Sequence, residues 1–313
     1  MKCMVTGAAG FIGSHLSEAL VRRGDSVVGI DCFTDYYPKR VKVANLRRLR
    51  GEKNFRFVQA DLSSANLSPS LRGVECVFHL AAQPGVRASW GKSFSYYVKD
   101  NIVSTQRLLE AVKRHALAKF VYASSSSIYG DSETMPTPEG ALPKPVSPYG
   151  VTKLSGENLC NVYYKNYSVP VVSLRYFTVY GPRQRPDMAF NIFISRISKG
   201  EQIELYGDGE QRRDFTFVGD TVAANLLASE ANPGEAYNVG SGRTYGVNEV
   251  ISAIESIVGK KAKVRRSGKA LGDVRNTAAD ITKITRDLGY RPSTTLLDGL
   301  QRQVEAQVGP RAA

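Results

Sequence analysis

The sequence predicts an α/β protein: a doubly wound parallel sheet, followed by a smaller α/β domain formed by the C-terminal part of the chain. Three observations predict it. Short β-branched apolar runs recur, "KCMVT", "SVVGI", "FRFVQ", "VECVFHL", "KFVYAS" and "VPVVSLRY", and they alternate with amphipathic segments. Such runs belong to strands buried on both faces, under helices. The first run leads straight into a glycine-rich turn, "TGAAGFIG", which opens a helical pattern. After about Tyr180 the character changes to loops rich in Gly, Pro and Arg, "GPRQRPDM" and "YGDGEQRRD", then a strand-like "AYNVGSG".

Each element has its own justification. Ile12, Leu16 and Leu20 recur at helical spacing after the first run, and Gly24 closes that helix. The segment Asp100–His115 repeats the pattern through Ile102, Leu108, Leu109 and Val112. A last amphipathic helix carries Leu297, Leu300, Val304 and Val308. The expected division is a first domain over 1–178, with a segment at about 214–232 returning to it, and a second domain mainly over 179–313.

The length of 313 residues is enough for one large α/β unit or two domains with a real core. With 42% hydrophobic and 23% charged residues, the composition is that of a soluble globular protein. Cys3, Cys32, Cys76 and Cys160 show no paired spacing, which argues against a zinc site or a disulfide framework and for a reducing cytoplasm. No leader pattern or membrane-length apolar run is present, so no membrane association is expected. The formal charge of +13 is densest in Lys39–Lys53, "KRVKVANLRRLRGEK", read as a solvated helix face because no nucleic-acid motif accompanies it.

Gly7, Gly10 and Gly13 stand between the first strand and the first helix, where bare backbone approaches a pyrophosphate and the helix N-terminus favours its charge. Asp31 ends the second strand eighteen residues after Gly13, where its carboxylate can accept both ribose hydroxyls and would repel a 2′-phosphate; NAD is the expected cofactor. Asp61, in "VQADL", either bonds the adenine edge or caps a turn. In "HLAAQPG", Ala81 and Ala82 leave room for the cofactor, and His79 is read as a packed strand histidine. Phe11, Ile12, Leu62, Leu80 and Tyr176 are assigned to the same wall.

The catalytic candidates lie in "SPYGVTK". Tyr149 and Lys153 are four residues apart, on one helix face, with Ser147 as N-cap and Pro148 in the first turn. A free phenol titrates near ~10 and is a poor base at neutral pH. The Lys153 ammonium and an oxidised nicotinamide are expected to bring the phenol toward working range.

Here the chain resembles the extended short-chain dehydrogenases/reductases, specifically their nucleotide-sugar epimerases and dehydratases. The motifs run nearly the full length: "TGAAGFIG", Asp31, "HLAAQ", "SSSSIYG", "SPYGVTK", "LRYFTVYGPRQRP", "RRDFTFVGD", "YNVGSG" and "GDVRNTAAD". The resemblance implies a Rossmann-type domain with bound NAD, Tyr149 as base, Lys153 on the nicotinamide ribose, Ser125 as the catalytic hydroxyl and Asn101 near the cofactor. It also implies a homodimer pairing the helices at about 100–115 and 150–166.

The dehydratases of the family carry an Asp-Glu pair after the catalytic hydroxyl, and the UDP-glucuronate decarboxylases a Glu. Here Ser126 and Ser127 stand at those places. A hydroxyl cannot replace a carboxyl as general acid or base at neutral pH. What remains is redox at C4 of the sugar, that is, a 4-epimerase. "TDYYP", "HLAAQPGVRAS" and Arg185 look most like UDP-glucuronate 4-epimerases, with Arg87, Ser125, Ser126, Ser127, Tyr149, Thr178 and Arg185 around the sugar. A C6 carboxylate wants hydroxyls and an arginine. The other use of these arginines is the diphosphate or the surface. Arg213 and Arg275 match positions near the diphosphate, while Ala270 replaces an Arg of galactose-type epimerases and leaves that contact to Lys269 or Arg275. The alternative substrates are UDP-glucose and UDP-N-acetylglucosamine. A regulator on the same fold would usually lose the Tyr-Lys pair. A nucleic-acid partner is not expected, and no metal is.

Overall fold

The computed structural model describes residues 1–268 and 271–309. Its main sheet begins with β1 (Lys2–Thr6), β2 (Ser26–Asp31), β3 (Phe55–Gln59), β4 (Cys76–His79), β5 (Lys119–Ser125) and β6 (Val171–Tyr176). The remaining strands are β7 (Thr178–Tyr180), β8 (Gln202–Tyr206), β9 (Arg212–Phe217), β10 (Ala236–Val239), β11 (Thr244–Gly246), β12 (Lys263–Ser267) and β13 (Asn276–Thr277). The helices are α1 (Phe11–Arg22), α2 (Lys39–Asn45), α3 (Ser68–Leu71), α4 (Phe94–Tyr97), α5 (Ser104–Val112), α6 (Pro148–Tyr167), α7 (Ala189–Lys199), α8 (Val218–Ala228), α9 (Val247–Val258), α10 (Thr282–Leu288) and α11 (Leu296–Val308).

The seven-stranded sheet has the order β10-β6-β5-β4-β1-β2-β3. Every neighbouring pair in it is parallel. The apolar runs are continuous because successive residues serve opposite faces. Cys3 and Val5 of β1, with Cys76 and Phe78 of β4, face the core that contains Leu16 and Leu20 of α1. Met4 and Val77 face the other core, with Leu108, Leu109 and Val112 of α5 and Cys160 and Tyr163 of α6. The chain reverses direction across the sheet between β1 and β4, which opens a crevice at the carboxyl ends of those strands.

The smaller lobe is built on β9, flanked by β7, β11 and β13, with β8 and β12 as a separate pair. Two features differ from the sequence reading. The "AYNV" strand does not belong to this lobe: as β10 it pairs in parallel with β6, Val239 opposite Tyr176, and so covers an otherwise open edge of the main sheet. The returning segment therefore starts at α8 and runs on to Val239, residues 214–217 belonging instead to β9 of the smaller lobe, and α8 packs on α1. In α11 the inward face is Leu296, Leu300, Gln303 and Val304, while Leu297 and Val308 are 56% and 45% exposed. The helix is rotated because Gln303 is needed inside: its Oε1 accepts the Gly181 N–H at 2.9 Å and its Nε2 donates to Gln184 Oε1 at 2.9 Å.

Candidate active site

The glycine turn sits at the crevice. Gly7 has φ +69, a left-handed conformation costly for other residues. Gly10 N–H donates to the Gly7 carbonyl at 2.9 Å, and α1 starts at Phe11 with no side-chain cap. Its first N–H groups are left to an anion. A Cβ on Gly13 would run into the Gly7 carbonyl, and one on Gly7 into the Ala81 backbone. At the end of β2, Asp31 Oδ2 accepts the Ala9 N–H at 3.1 Å and Oδ1 the Phe33 N–H at 2.8 Å. The carboxylate is thus fixed, and each oxygen keeps a further acceptor position. Burial pushes its acid up, while these N–H groups and Lys42 pull it back.

A cleft runs over these strand ends. It is lined by Gly7, Gly10, Phe11, Ile12, Gly13, Asp31, Asp61, Leu62, Leu80, Ala81, Ala82, Tyr149, Lys153 and Tyr176, every expected cofactor residue except Asn101. Asn101 lies buried behind the wall in a π-helical turn, Val98–Val103. Its amide accepts the Gln83 N–H at 2.6 Å and donates to the Gln83 carbonyl and to Thr152, so it holds the loop after β4. Asp61 does cap a turn, accepting from Ser63 N–H and Oγ, and its other oxygen pairs with Lys99 at 2.7 Å. His79 is a packed histidine between Thr6 and Thr105, kept neutral by burial, which lowers its pKa to about 3.

Helix α6 starts as its sequence requires: Ser147 Oγ accepts the Gly150 N–H at 3.1 Å and Pro148 is the first helical residue. Tyr149 and Lys153 both face the cleft. Ser125 stands at the end of β5, near the Tyr149 phenol. Its Oγ also accepts the Ser127 N–H at 3.1 Å, which folds Ser126 and Ser127 into a tight turn. Burial pushes the Tyr149 phenol up; Ser125 and the Arg185 guanidinium pull it down. The Lys153 ammonium lies 4.6 Å from the Tyr122 ring, and the groups acting on Tyr149 are Ser125 and Arg185. Burial lowers Lys153 to about 8, against the opposing pull of Cys160 and Glu157.

The arginines fall into two groups. Arg185 lines the cleft beside Tyr149. Arg87, Arg213 and Arg275 gather elsewhere, around Gly272–Arg275. Arg87 pairs with Asp273 at 2.7 Å and stacks 4.2 Å over the Tyr206 ring. Arg213 donates to the carbonyls of Val274 and Arg275, and burial together with neighbouring Arg87 lowers its pKa. Arg275 N–H donates to Asp131 at 3.3 Å. Thr178 opens β7 directly after β6, and Ser125 is in register with Tyr176, so Thr178 and the serine turn sit on adjacent strand ends. Lys269 and Ala270 lie outside the described residues.

Several cleft residues carried no local signal. Lys42 of the basic run is buried, donating to Thr34 at 2.7 and 2.9 Å, and lines the cleft near Asp31. Its face of α2 has no apolar periodicity to reveal it. Glu157, outside the cleft lining, follows Lys153 by the same four residues that separate Lys153 from Tyr149. It accepts from Ser124 Oγ at 2.5 Å and pairs with Arg175, itself bonded to Tyr129. Breaking such a buried pair costs about 3–5 kcal/mol. Among the described residues, no group of three or more His, Cys, Asp or Glu side chains could hold a metal ion.

A parallel sheet with this strand order, a glycine turn with an acid at the end of β2, and a helical Tyr-Lys pair beside a strand-end serine define a dinucleotide-dependent enzyme of the short-chain dehydrogenase/reductase class. The family model described as GDP-mannose 4,6 dehydratase matches residues 4–303, and the chain belongs to this family. It is 47% identical over 308 residues to the uncharacterised UDP-glucose epimerase YtcB of Bacillus subtilis (strain 168), covering 97% of both chains. It is 36% identical to a UDP-glucuronate 4-epimerase of Thermodesulfobacterium geofontis (strain OPF15), covering 96% of this chain and 94% of that one. The fold superposes with TM-score 0.95 on a crystal structure of UDP-glucuronic acid 4-epimerase from Bacillus cereus in complex with UDP-glucuronic acid and NAD, at 45% identity and 98% coverage of both.

Proposed function

We propose that this protein is an NAD-dependent UDP-sugar 4-epimerase that converts UDP-glucuronate to UDP-galacturonate. The observation that carries the reading is the half-buried Tyr149 facing the cleft with Lys153 and Arg185, Ser125 near its phenol, and hydroxyls rather than carboxylates at 126 and 127. The residues of the crevice fit the cofactor: a Cβ on Gly7 or Gly13 would close the cradle, and Asp31 is pre-fixed to receive a ribose. Bound there, NAD supplies the acceptor and donor of a hydride for the sugar's C4. Tyr149, as phenolate, takes the proton of the C4 hydroxyl and later returns it, and Ser125 shares that hydrogen bond. The ammonium of Lys153 keeps positive charge on the same helix face. No carboxyl stands at 126 or 127 to drive elimination, so the 4-keto sugar turns in the pocket and C4 is rebuilt with the opposite configuration. Arg87, Arg213 and Arg275, gathered around Gly272–Arg275, hold the diphosphate, and the N-terminal lobe holds NAD. The similarity to enzymes crystallised with UDP-glucuronic acid and NAD supports this reading. The name of the Bacillus subtilis relative favours UDP-glucose as the second reading.

Incubation with a panel of UDP-sugars, products resolved by NMR, tests it. UDP-galacturonate is expected from UDP-glucuronate with no cofactor added, and denaturation is expected to release NAD. A strict stoichiometric need for external NADPH would point to a reductase instead.

The pH dependence follows from Lys153. With its pKa near about 8, the ammonium loses its proton as pH rises, so turnover is expected to fall through that region. The stability contribution runs the other way. A lysine whose folded pKa lies below its unfolded value of ~10.4 costs stability while charged, and that cost is relieved as pH rises from about 8 toward ~10.4. Activity should therefore decline while the melting temperature shows no matching drop from this group. A flat kcat profile to pH ~10 would remove Lys153 from the mechanism.

A homodimer is part of the proposal. Tyr96, Val103, Val151, Val162 and Tyr167 are 62%, 40%, 45%, 50% and 54% exposed along Phe94–Val112 and α6, an apolar face suited to a second copy. The proposed location is cytoplasmic; no helix among the described residues is long and apolar enough to cross a membrane.

A further inference from the structure

The segment after β7 is unusually well tied down. Arg183, at φ +65, pairs with Glu18 of α1 at 2.6 Å and donates to Ser14 at 3.2 Å. The Pro182 carbonyl is bonded to His15. Gln184 accepts the Asn191 N–H at the start of α7. Within this clamped segment Arg185 has a specific posture. Its Nε donates to Asp187 Oδ1 at 3.0 Å and its Nη2 to Asp187 Oδ2 at 3.0 Å, so Asp187 grips one edge of the guanidinium with both oxygens. Among the described residues no hydrogen-bond partner meets Nη1.

Asp187 is held in turn from across the crevice. The Tyr36 hydroxyl donates to its Oδ2 at 3.2 Å, and the Arg185 guanidinium stands 5.9 Å over the Tyr36 ring. Tyr36 belongs to the loop after β2 and is kept protonated, its pKa pushed up to about 12 by burial first and by Asp187. Gly85, at φ +101, brings a third segment so close that a Cβ there would strike the Tyr36 hydroxyl. Arg185 and Tyr36 line the cleft; Asp187 does not. The order outward from the cleft is therefore a cationic fork, then the carboxylate that fixes its plane, with Tyr36 locking that carboxylate.

We propose that Asp187 and Tyr36 are positioning residues for acid-sugar specificity: Asp187 holds the Nε–Nη2 edge of Arg185 so that its Nη1 end is presented to the carboxylate of the sugar. This rests on the glucuronate reading above and adds residues to it. An arginine free to rotate would still attract an anion but would not hold it in one orientation. A carboxylate behind the guanidinium also offsets its charge when no acid sugar is bound, so a neutral sugar gains little from the site. Charge-assisted pairs of this kind owe their specificity to two parallel bonds in a fixed plane.

The test uses the NAD-containing protein, wild type and the variants Asp187→Asn, Asp187→Glu and Tyr36→Phe, titrated calorimetrically with UDP-glucuronate and with UDP. Asp187→Asn should weaken UDP-glucuronate about tenfold, the scale of one charge-assisted bond, and leave UDP within about twofold. Tyr36→Phe should act in the same direction by about threefold, and Asp187→Glu should recover part of the loss. NMR of the products should show more pentose from Asp187→Asn, since a poorly held carboxylate leaves the keto intermediate as CO₂. An equal weakening of UDP would mean that the segment has simply collapsed, and unchanged UDP-glucuronate binding would mean that Arg185 needs no support. Either result overturns the proposal. Wild-type protein that binds UDP-glucuronate no better than UDP would overturn the glucuronate reading itself, and this role of Asp187 with it.

Discussion

Replacing Tyr149 by Phe is expected to lower kcat by about 10²–10⁴-fold while the affinity for UDP-glucuronate stays within a few-fold, because the change removes the proton acceptor and keeps the shape of the site. The structure says why no neighbour can take over. The groups acting on the phenol are Ser125, a hydroxyl, and Arg185, which stays protonated. Lys153 is placed over the Tyr122 ring. The fold should tolerate the change, since burial already disfavours the charged phenolate. Single-turnover rates with UDP-glucuronate, alongside binding titrations, measure both quantities. Near-normal turnover by Tyr149→Phe would show that another group is the base.

The second large effect is expected at Arg185. The 4-keto form of UDP-glucuronate is a β-keto acid, and it loses CO₂ readily when the carboxylate stands perpendicular to the ring carbonyl. An epimerase must hold that carboxylate while the ring turns. Arg185→Ala should reduce turnover of UDP-glucuronate by about ten- to a hundred-fold, the equivalent of roughly 1.5–3 kcal/mol for a charge-assisted bond, with a rise in pentose by-product. Neutral UDP-glucose, if turned over, should lose much less. Arg185→Lys should fall between, since an ammonium restores the charge without the fork. Equal losses on both sugars would assign Arg185 to the diphosphate. The arrangement argues against that, because Arg87, Arg213 and Arg275 already surround Gly272–Arg275, apart from the Tyr149 end of the cleft.

What could be read from the sequence was whatever is encoded locally. The alternation of apolar runs with helical patterns specified the parallel sheet, because a strand buried on both faces has no polar side to show. The turn Gly7-x-x-Gly10, the Asp31 that follows β2, and the Tyr149–Lys153 spacing on one helix are contained in stretches of a few residues, with the neighbours that cap or bend them. The absence of an acid at 126 and 127 was equally plain in one dimension. Reading the strand "AYNV" into the smaller lobe failed because nothing local says which sheet edge a strand will join; the open edge of β6 decided it. The face of α11 was misread for a similar reason, since a buried Gln303 serving Gly181 and Gln184 looks polar in the sequence and is inward in the fold.

Only the tertiary structure could divide the arginines. Arg87, Arg185, Arg213 and Arg275 are equivalent as letters, and Arg183 next to Arg185 looks like its partner, yet it turns to Glu18 on α1 and takes no part in the cleft. The environment of Tyr149 was likewise invisible. The sequence by itself determined which side chains would share one helix face, because a tyrosine and a lysine one helical turn apart must do so. It did not determine what surrounds the tyrosine. That depends on desolvation and on groups brought near by segments far apart in the chain: Ser125 from the end of β5 and Arg185 from beyond β7. Electrostatic effects depend on distance through space and on exclusion of water, and neither is a property of neighbours along a chain.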